Sequence, residues 1–527
     1  MTGIALVSSH GIVERQVFFN MNFTIEDIVA AAGGEAFLTE ADKNNTNFNV
    51  TGMVIDSRIA TEGGVFIATE GERVDGHSFI KQVFDKGAKL VITEKTPEAV
   101  EEKFGIPAKE WGSYILVDDS FIALKKLGRA YRKKLSIPIV GITGSVGKTS
   151  TKEFIAGVLG QKYNVLKTEG NYNNEIGVPL TLLKIREEHE VAVVEMGISD
   201  FGEMTRLSEM AQPDIAVITN IGQCHLENLG TRDGILKAKT EIFTHMNPDG
   251  NVCLFGDDDK LITVDKVNGK APYFFGENTV EADTAEMGNG NAEQHNVDKA
   301  VSVISSEDKG LVGSAATLRL NMPNKGINNV TIRVNVPLPG HHMVINAAAA
   351  ANVAMLLDLT AEEIAAGIEN MKPISGRNNI VQLKDILLID DCYNANPVSM
   401  RSSIDLLKLA KGTTVAILGD MFELGADEAK MHAGVGEYAV EAGVDCIYCV
   451  GELSKNMYEA ARETFEKGGR AENISYWKTR DELLAGIRED FTSGRRELIP
   501  YGANILVKAS HGMHFEEVVK LFRELYT

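Results

Sequence analysis

Residues 137–159, "IPIVGITGSVGKTSTKEFIAGVL", constrain this chain more than any other stretch. An apolar run that reads as a strand enters a glycine-rich loop, and the loop opens directly into a helical pattern. Strand, loop and helix in that order turn backbone N–H groups and a helix N-terminus toward an anion. A phosphate site is therefore expected at Gly144, Ser145, Gly147, Lys148, Thr149 and Ser150, with Lys148 reaching terminal phosphates and the Thr149 hydroxyl available to Mg²⁺. The spacing Gly144-x-x-Gly147-Lys148-Thr149 is tighter than the common pattern, which would put a glycine where Ile142 stands.

At 527 residues the chain exceeds one core, and about 150 residues per domain suggests three. Lys and Arg number 53 against 74 Asp and Glu, a formal charge of −21, which argues against general binding to nucleic acid or anionic membrane. No apolar run approaches the ~20 residues that span a bilayer. Residues 1–20 lack the order of a secretory signal and read as an extension, because "MNFTIEDIVAAAGG" from Met21 is a clean helix start with Thr24 as N-cap. Five cysteines, an odd number, point to a reducing cytoplasm. Cys446 and Cys449 lie in "DCIYCV", a buried-strand pattern that sends the two thiols to opposite faces and argues against a redox or zinc pair.

The pattern predicts an α/β protein of three domains. Residues 21–135 alternate short strands and helices, closed by the helical run "SFIALKKLGRAYRKKL". Residues 136–371 hold longer βα units of a parallel sheet, including "NVLKT", "VAVVEMG" and "DIAVITNIG", and end in an alanine-rich helix at 346–357. Residues 372–527 form a third, doubly wound unit with strands "ILLIDD", "TVAILGD", "CIYCVG" and "NILVKAS". The polar stretch 276–312 reads as a partly disordered insertion at a sheet edge.

Open α/β sheets place ligands beyond the carboxyl ends of their strands. Glu195 ends "VAVVEM" and His225 follows "VITNIG", so both read as metal-associated, whereas Lys239 by its chemistry alone reads as a surface lysine.

Together "TGSVGKTST", "TEGNYNNEIGVPLTLL", "VVEMG", "TNIGQCHLENLG" and "KAKTEIF" resemble the central domain of the Mur ligases, which form amide bonds with ATP in peptidoglycan precursor synthesis. "VIDSRIATEGGVFIATEGERVDGHSFI" is similar to the UDP-sugar segment of that family, and "SGRNNIV", "IDDCYNANPVSM" and "LGDMFELG" to its third domain. The match runs in order from about residue 21 to 520. It implies a UDP-sugar-binding first domain, a central ATPase domain and a Rossmann-like C-terminal ligase domain. The third-domain stretches imply an activity that joins D-alanyl-D-alanine to UDP-N-acetylmuramoyl-tripeptide, in a monomer.

Carried over residue by residue, the resemblance implies that Lys148, Lys239, His225 and Glu195 are catalytic. Two Mg²⁺ would be held by Thr149, Glu195, His225 and Lys239, the lysine as a carbamate. Asn346 would lie near adenine, with Arg377, Asp391 and Tyr393 closing over the nucleotide. Asp56, Ser57, Arg58, Asp75 and His77 would take the uridine-diphosphate end, and Asn394 and Asn396 other parts of the substrates. Three positions depart from the family pattern: Met343 after His342, Gly256 before an acidic pair, and His511 where arginine is usual. A sibling ligase adding one amino acid to the dipeptide precursor would carry a D-N-P-R-like motif, and "GDMFELG" stands in its place. A folylpolyglutamate-synthase-like enzyme would lack the "DSR…DGH" first domain. A nucleotide switch for GTP would need N-K-x-D, which is not evident.

Overall fold

The computed structural model describes residues 21–71, 74–277, 297–373, 376–468 and 473–527. The extension 1–20 lies outside them. The chain forms two compact units.

The first unit takes residues up to Pro138 together with Thr168–Ala192 and Glu209–Gln212. Its sheet contains β1 (Glu35–Phe37), β2 (Met53–Val54), β3 (Val65–Ile67), β4 (Leu90–Thr93) and β5 (Ser113–Leu116), in the order β1-β5-β4-β3-β2. Only β1 runs antiparallel. The helix Ile25–Ala32 starts at Thr24 with both halves of a capping box formed, as its sequence predicts. The helix Ser120–Arg132 explains why segments expected in the central domain belong here. The hydroxyl of buried Tyr131 donates to Ile185 O at 2.6 Å, and Arg132 Nε donates to Ala211 O at 2.8 Å. The boundary expected near residue 135 is thus crossed twice by later chain.

The central sheet has nine strands: β6 (Ile139–Thr143), β7 (Val165–Lys167), β8 (Val191–Glu195), β9 (Ile215–Ile218), β10 (Asn251–Phe255), β11 (Tyr273–Glu277), β12 (Lys299–Asp308), β13 (Ser314–Met322) and β14 (Ile327–Val336). Their order is β14-β13-β12-β11-β10-β9-β6-β8-β7, which puts β6, the strand feeding the glycine loop, between β9 and β8. All five residues of β6 and of β8 are buried, as strands covered on both faces require. The alanine-rich helix runs from His341 to Leu356, starting a turn earlier than expected. Its small side chains are buried against β11, β12 and the helix Lys148–Leu159.

The reading of 276–312 as an edge insertion is corrected. Residues 278–296 lie outside the described residues, but Lys299–Asp308 is a ten-residue strand inside the sheet, parallel to β11 and antiparallel to β13. Ala300, Val301, Ser302 and Val303 are buried, while the polar half from Ile304 to Asp308 is exposed. A composition averaged over both halves conceals the strand.

The third sheet contains β15 (Asn379–Gln382), β16 (Leu387–Asp390), β17 (Thr414–Gly419), β18 (Cys446–Val450), β19 (Asn473–Trp477) and β20 (Asn504–Lys508), in the order β15-β16-β20-β17-β18-β19. Only β15 is antiparallel. Cys446 and Cys449 enter the cores on opposite faces of this sheet. All five thiols are buried.

Candidate active site

The glycine loop is fixed from both sides. Gly144 has φ 149°, and a Cβ there would lie 1.9 Å from Thr219 Oγ1, so only glycine lets the loop pass β9. The loop amides of Ser145 and Val146 donate to Asn220 O and Oδ1, both at 3.0 Å. Lys148 Nζ folds back onto Gly144 O at 2.9 Å. At the first turn of the helix, Thr149 Oγ1 donates to Glu195 Oε1 at 3.1 Å, and Glu195 is 1% exposed.

Lys152, which sequence reasoning did not single out, stands one helical turn further. Its Nζ lies 3.6 Å from Glu195 Oε2 and 3.3 Å from Glu153 Oε1, and the residue is 2% exposed. A cation at that place offsets the charge of a carboxylate removed from water. The i, i+3 spacing from Thr149 was the available signal.

Lys239 is not the surface lysine that its chemistry suggested. It is 1% exposed on the helix Arg232–Thr240, and among the described residues its Nζ has no hydrogen-bond or ion-pair partner. Burial first, and then the positive charge of Lys148, lowers its pKa from 10.5 to about 8. A depressed amine has a substantial neutral fraction near physiological pH, which carbamylation requires.

His225, φ 50°, is drawn to the third domain: its Nδ1 lies 2.6 Å from Oε2 of Glu423 in the "GDMFELG" loop. The imidazole holds the Glu423 carboxyl below its usual range. No three His, Cys, Asp or Glu side chains among the described residues converge to form a closed metal cage. The donors present are the Thr149 hydroxyl, the Glu195 carboxylate and, were it carbamylated, Lys239. Oxygen donors with few carboxylates suit Mg²⁺ shared with substrate phosphates, so the residues fit that ion.

Asn346 is brought to the loop, its Oδ1 accepting from Thr151 Oγ1 at 3.0 Å. Its amide Nδ2 faces Met343 Sδ at 3.6 Å, which gives the departure at 343 a local role as a weak acceptor. Gly256 has a different cause. A Cβ there would lie 2.8 Å from Lys299 Cε, and Lys299 reaches past it to pair with Asp257 at 2.7 Å.

In the third domain, Asp391 is buried and accepts from Ser403 Oγ and Lys508 Nζ through Oδ2, both at 2.5 Å, and from Asn378 N through Oδ1 at 3.1 Å. Lys508, also missed from the sequence, continues to Asn394 O at 3.1 Å. The Arg377 guanidinium lies 4.0 Å from the Tyr393 ring centroid, and His511 packs on the same tyrosine at 5.6 Å. Burial is the main cause of the raised Tyr393 phenol pKa. Asn396 caps the helix Pro397–Lys408, its Oδ1 accepting from Ser399 N at 2.9 Å.

In the first unit, Asp56 accepts from Arg58 Nε at 2.9 Å and from its NH2 at 2.7 Å, and Lys86 donates to Ser57 O at 2.8 Å. Asp75 Oδ1 lies 2.6 Å from His77 Nδ1. His77 is fully buried, and its Nε2 accepts from Glu94 N at 3.2 Å, which places the ring proton on Nδ1. Lys103 and Lys95 reach Asp75 Oδ2 at 2.9 and 3.2 Å. These contacts outweigh burial and hold the Asp75 carboxyl well below its usual range, whereas burial lowers His77.

Three family models match: "Mur ligase family, catalytic domain" over residues 49–132, "Mur ligase middle domain" over 142–354, and "Mur ligase, glutamate ligase domain" over 376–509. UDP-N-acetylmuramoyl-tripeptide--D-alanyl-D-alanine ligase of Bacillus subtilis is 35% identical across 89% of this chain and 93% of its own. The Escherichia coli ligase of the same name is 31% identical across 92% and 97%. Among solved structures, MurF from Acinetobacter baumannii has a TM-score of 0.76 at 29% identity, covering 95% of this chain and 98% of its own. MurF of Thermotoga maritima in complex with ADP has a TM-score of 0.70 at 27% identity, covering 90% and 97%. With the phosphate loop, the buried Glu195 and three matched segments in order, the chain belongs to the Mur ligase family.

Proposed function

We propose that the chain is an ATP-dependent ligase that joins D-alanyl-D-alanine to UDP-N-acetylmuramoyl-tripeptide, giving the pentapeptide precursor, ADP and phosphate, as a monomer in the cytoplasm. The observation that carries this reading is the phosphate loop set against a buried Thr149–Glu195 pair, with a buried, neutralisable Lys239 under Lys148's influence. The similarity to ligases of that name over most of both chains supports the choice of substrates.

A carboxylate is a poor electrophile, so its oxygen first takes the γ-phosphoryl group of ATP and ADP departs. The dipeptide amine then attacks the acyl carbon, phosphate leaves and the amine proton is lost. Lys148, released from Gly144 O, turns to the terminal phosphates and offsets charge as two anions meet. Thr149, Glu195 and His225 would hold Mg²⁺, and Lys239, once carbamylated, would add two more oxygens. Bound Mg²⁺ supplies charge neutralisation between ATP and the acceptor carboxylate. Neutral Lys239 attacks CO₂ through its lone pair and loses a proton, so burial prepares the anion.

Asn346 serves the adenine side, and Arg377, Tyr393 and Asp391 close the nucleotide site from the third domain and exclude water from the acyl phosphate. Asp56, Ser57, Arg58, Asp75 and His77 take the uridine-diphosphate end, with Asn394 and Asn396 in the substrate set, Asn396 through the Nδ2 that its cap leaves available. Phosphate release measured with UDP-N-acetylmuramoyl-tripeptide, with and without D-alanyl-D-alanine, tests the reading. Release should require ATP, Mg²⁺ and both substrates; equal release from ATP alone would sink it.

A further inference from the structure

The segment Gly376–Asn378 enters the third domain tied to the loop that follows β16. Gly376 N donates to Asp390 Oδ2, Tyr393 N to Gly376 O and Asn378 N to Asp391 Oδ1, each at 3.1 Å. Arg377 lies in the middle of these ties, its guanidinium over the Tyr393 ring. Asn378 has φ 47°, a left-handed backbone that asparagine adopts more readily than most residues. Its side chain leaves the third domain: Nδ2 donates at 3.0 Å to Nε2 of His342, in the first turn of the helix His341–Leu356.

An amide N–H can only donate, so Nε2 is the acceptor. Burial lowers the His342 pKa from 6.5 to about 4, and the ring is therefore neutral and keeps that lone pair at pH 7. One turn further on, the same helix carries Asn346 to the phosphate loop. Three demands meet at position 378: a left-handed backbone, an N–H for Asp391 and an amide donor for His342. Glycine would meet the first two, and asparagine meets all three.

We infer that Asn378 is a positioning residue: its bond to His342 sets the Gly376–Asn378 segment of the third domain against the central helix, and so sets where Arg377 stands over the nucleotide. The inference rests on the reading of Arg377 given under Proposed function.

The test is steady-state ligase kinetics on the full chain. Asn378→Gly keeps the backbone conformation and the N–H but deletes the side-chain donor. It should raise the KM for ATP about three- to tenfold while the KM for the UDP-linked substrate holds. His342→Phe, which removes the acceptor at similar size, should do the same. The double variant should be no worse than the poorer single one, because both changes remove one bond. A wild-type KM for ATP in Asn378→Gly, an equal rise in both KM values, or effects that add in the double variant would each overturn the inference. An unchanged KM for ATP in Arg377→Ala would instead remove the reading of Arg377 beneath it, and the inference with it.

Discussion

The cluster around Asp75 and the surroundings of Lys239 both take charge out of water, and they manage it in opposite ways. Asp75 is met by a backbone amide, an imidazole N–H and two ammonium groups. Lys239 is more deeply buried, has no partner among the described residues and lies under the influence of a second cation. The first arrangement is complete before any ligand arrives. The second leaves an electrostatic deficit that an anion, added or made in place, would fill. The buried lysine is left uncompensated, whereas the aspartate is compensated several times over.

The largest effect expected from breaking this contrast is on turnover. Lys239→Ala should lose at least about a hundredfold in ligase rate while binding the UDP-linked substrate normally. Acetate or formate in the assay should restore part of that rate by occupying the vacated space. Lys239→Arg, always charged, should do no better than alanine. Near-normal turnover in the arginine variant would return Lys239 to a passive role. Lys239→Met, which removes an uncompensated amine, should raise the Tm while remaining inactive.

Next comes the buried cation that does have a partner. Asp391→Asn leaves the buried Lys508 ammonium with Asn394 O but no carboxylate, and should cost the third domain about 3 kcal/mol in denaturant unfolding. A loss under 1 kcal/mol would mean that Ser403 and Asn394 alone satisfy the site.

Asp75→Asn should cost less, about 2 kcal/mol. Its depressed carboxyl contributes stability that is full above the unfolded value of 3.8 and is lost as pH falls below it. Wild type should therefore weaken in acid more steeply than Asp75→Asn, and parallel pH profiles would contradict the assignment. The smallest effect is expected for Lys103→Ala, a barely measurable change in denaturant unfolding, because Lys95 stays on the same carboxylate and the Lys103 side chain is 48% exposed.

How much of this was legible in the sequence follows from how local each feature is. The phosphate loop needs only contiguous residues, and its strand, turn and helix appeared where the pattern put them. Glu195 and His225 could be placed because strand ends in a parallel sheet share one rim. Lys152, Lys508 and Glu423 could not, since each acts through a partner on another element. The pair from Asp391 to Lys508 joins residues 117 apart in the chain. Lys239 was misjudged from its own chemistry because exposure is a property of the packed helix, and only the family resemblance assigned it a role. β12 was hidden because half of it faces solvent with serines and acids, and β15 and β19 because they are short edge strands.

The burial of all five thiols has a practical consequence. Burial raises Cys253 and Cys449 far above the ordinary thiol range, so neither ionises to the reactive thiolate at neutral pH. Alkylating dyes should therefore leave the native chain unmarked. A single cysteine introduced at an exposed position such as Tyr501, which is 68% accessible, would then take a fluorophore without background. The wild-type sequence itself thus serves as the blank for optical reporters of domain movement, with no need to strip its own cysteines first.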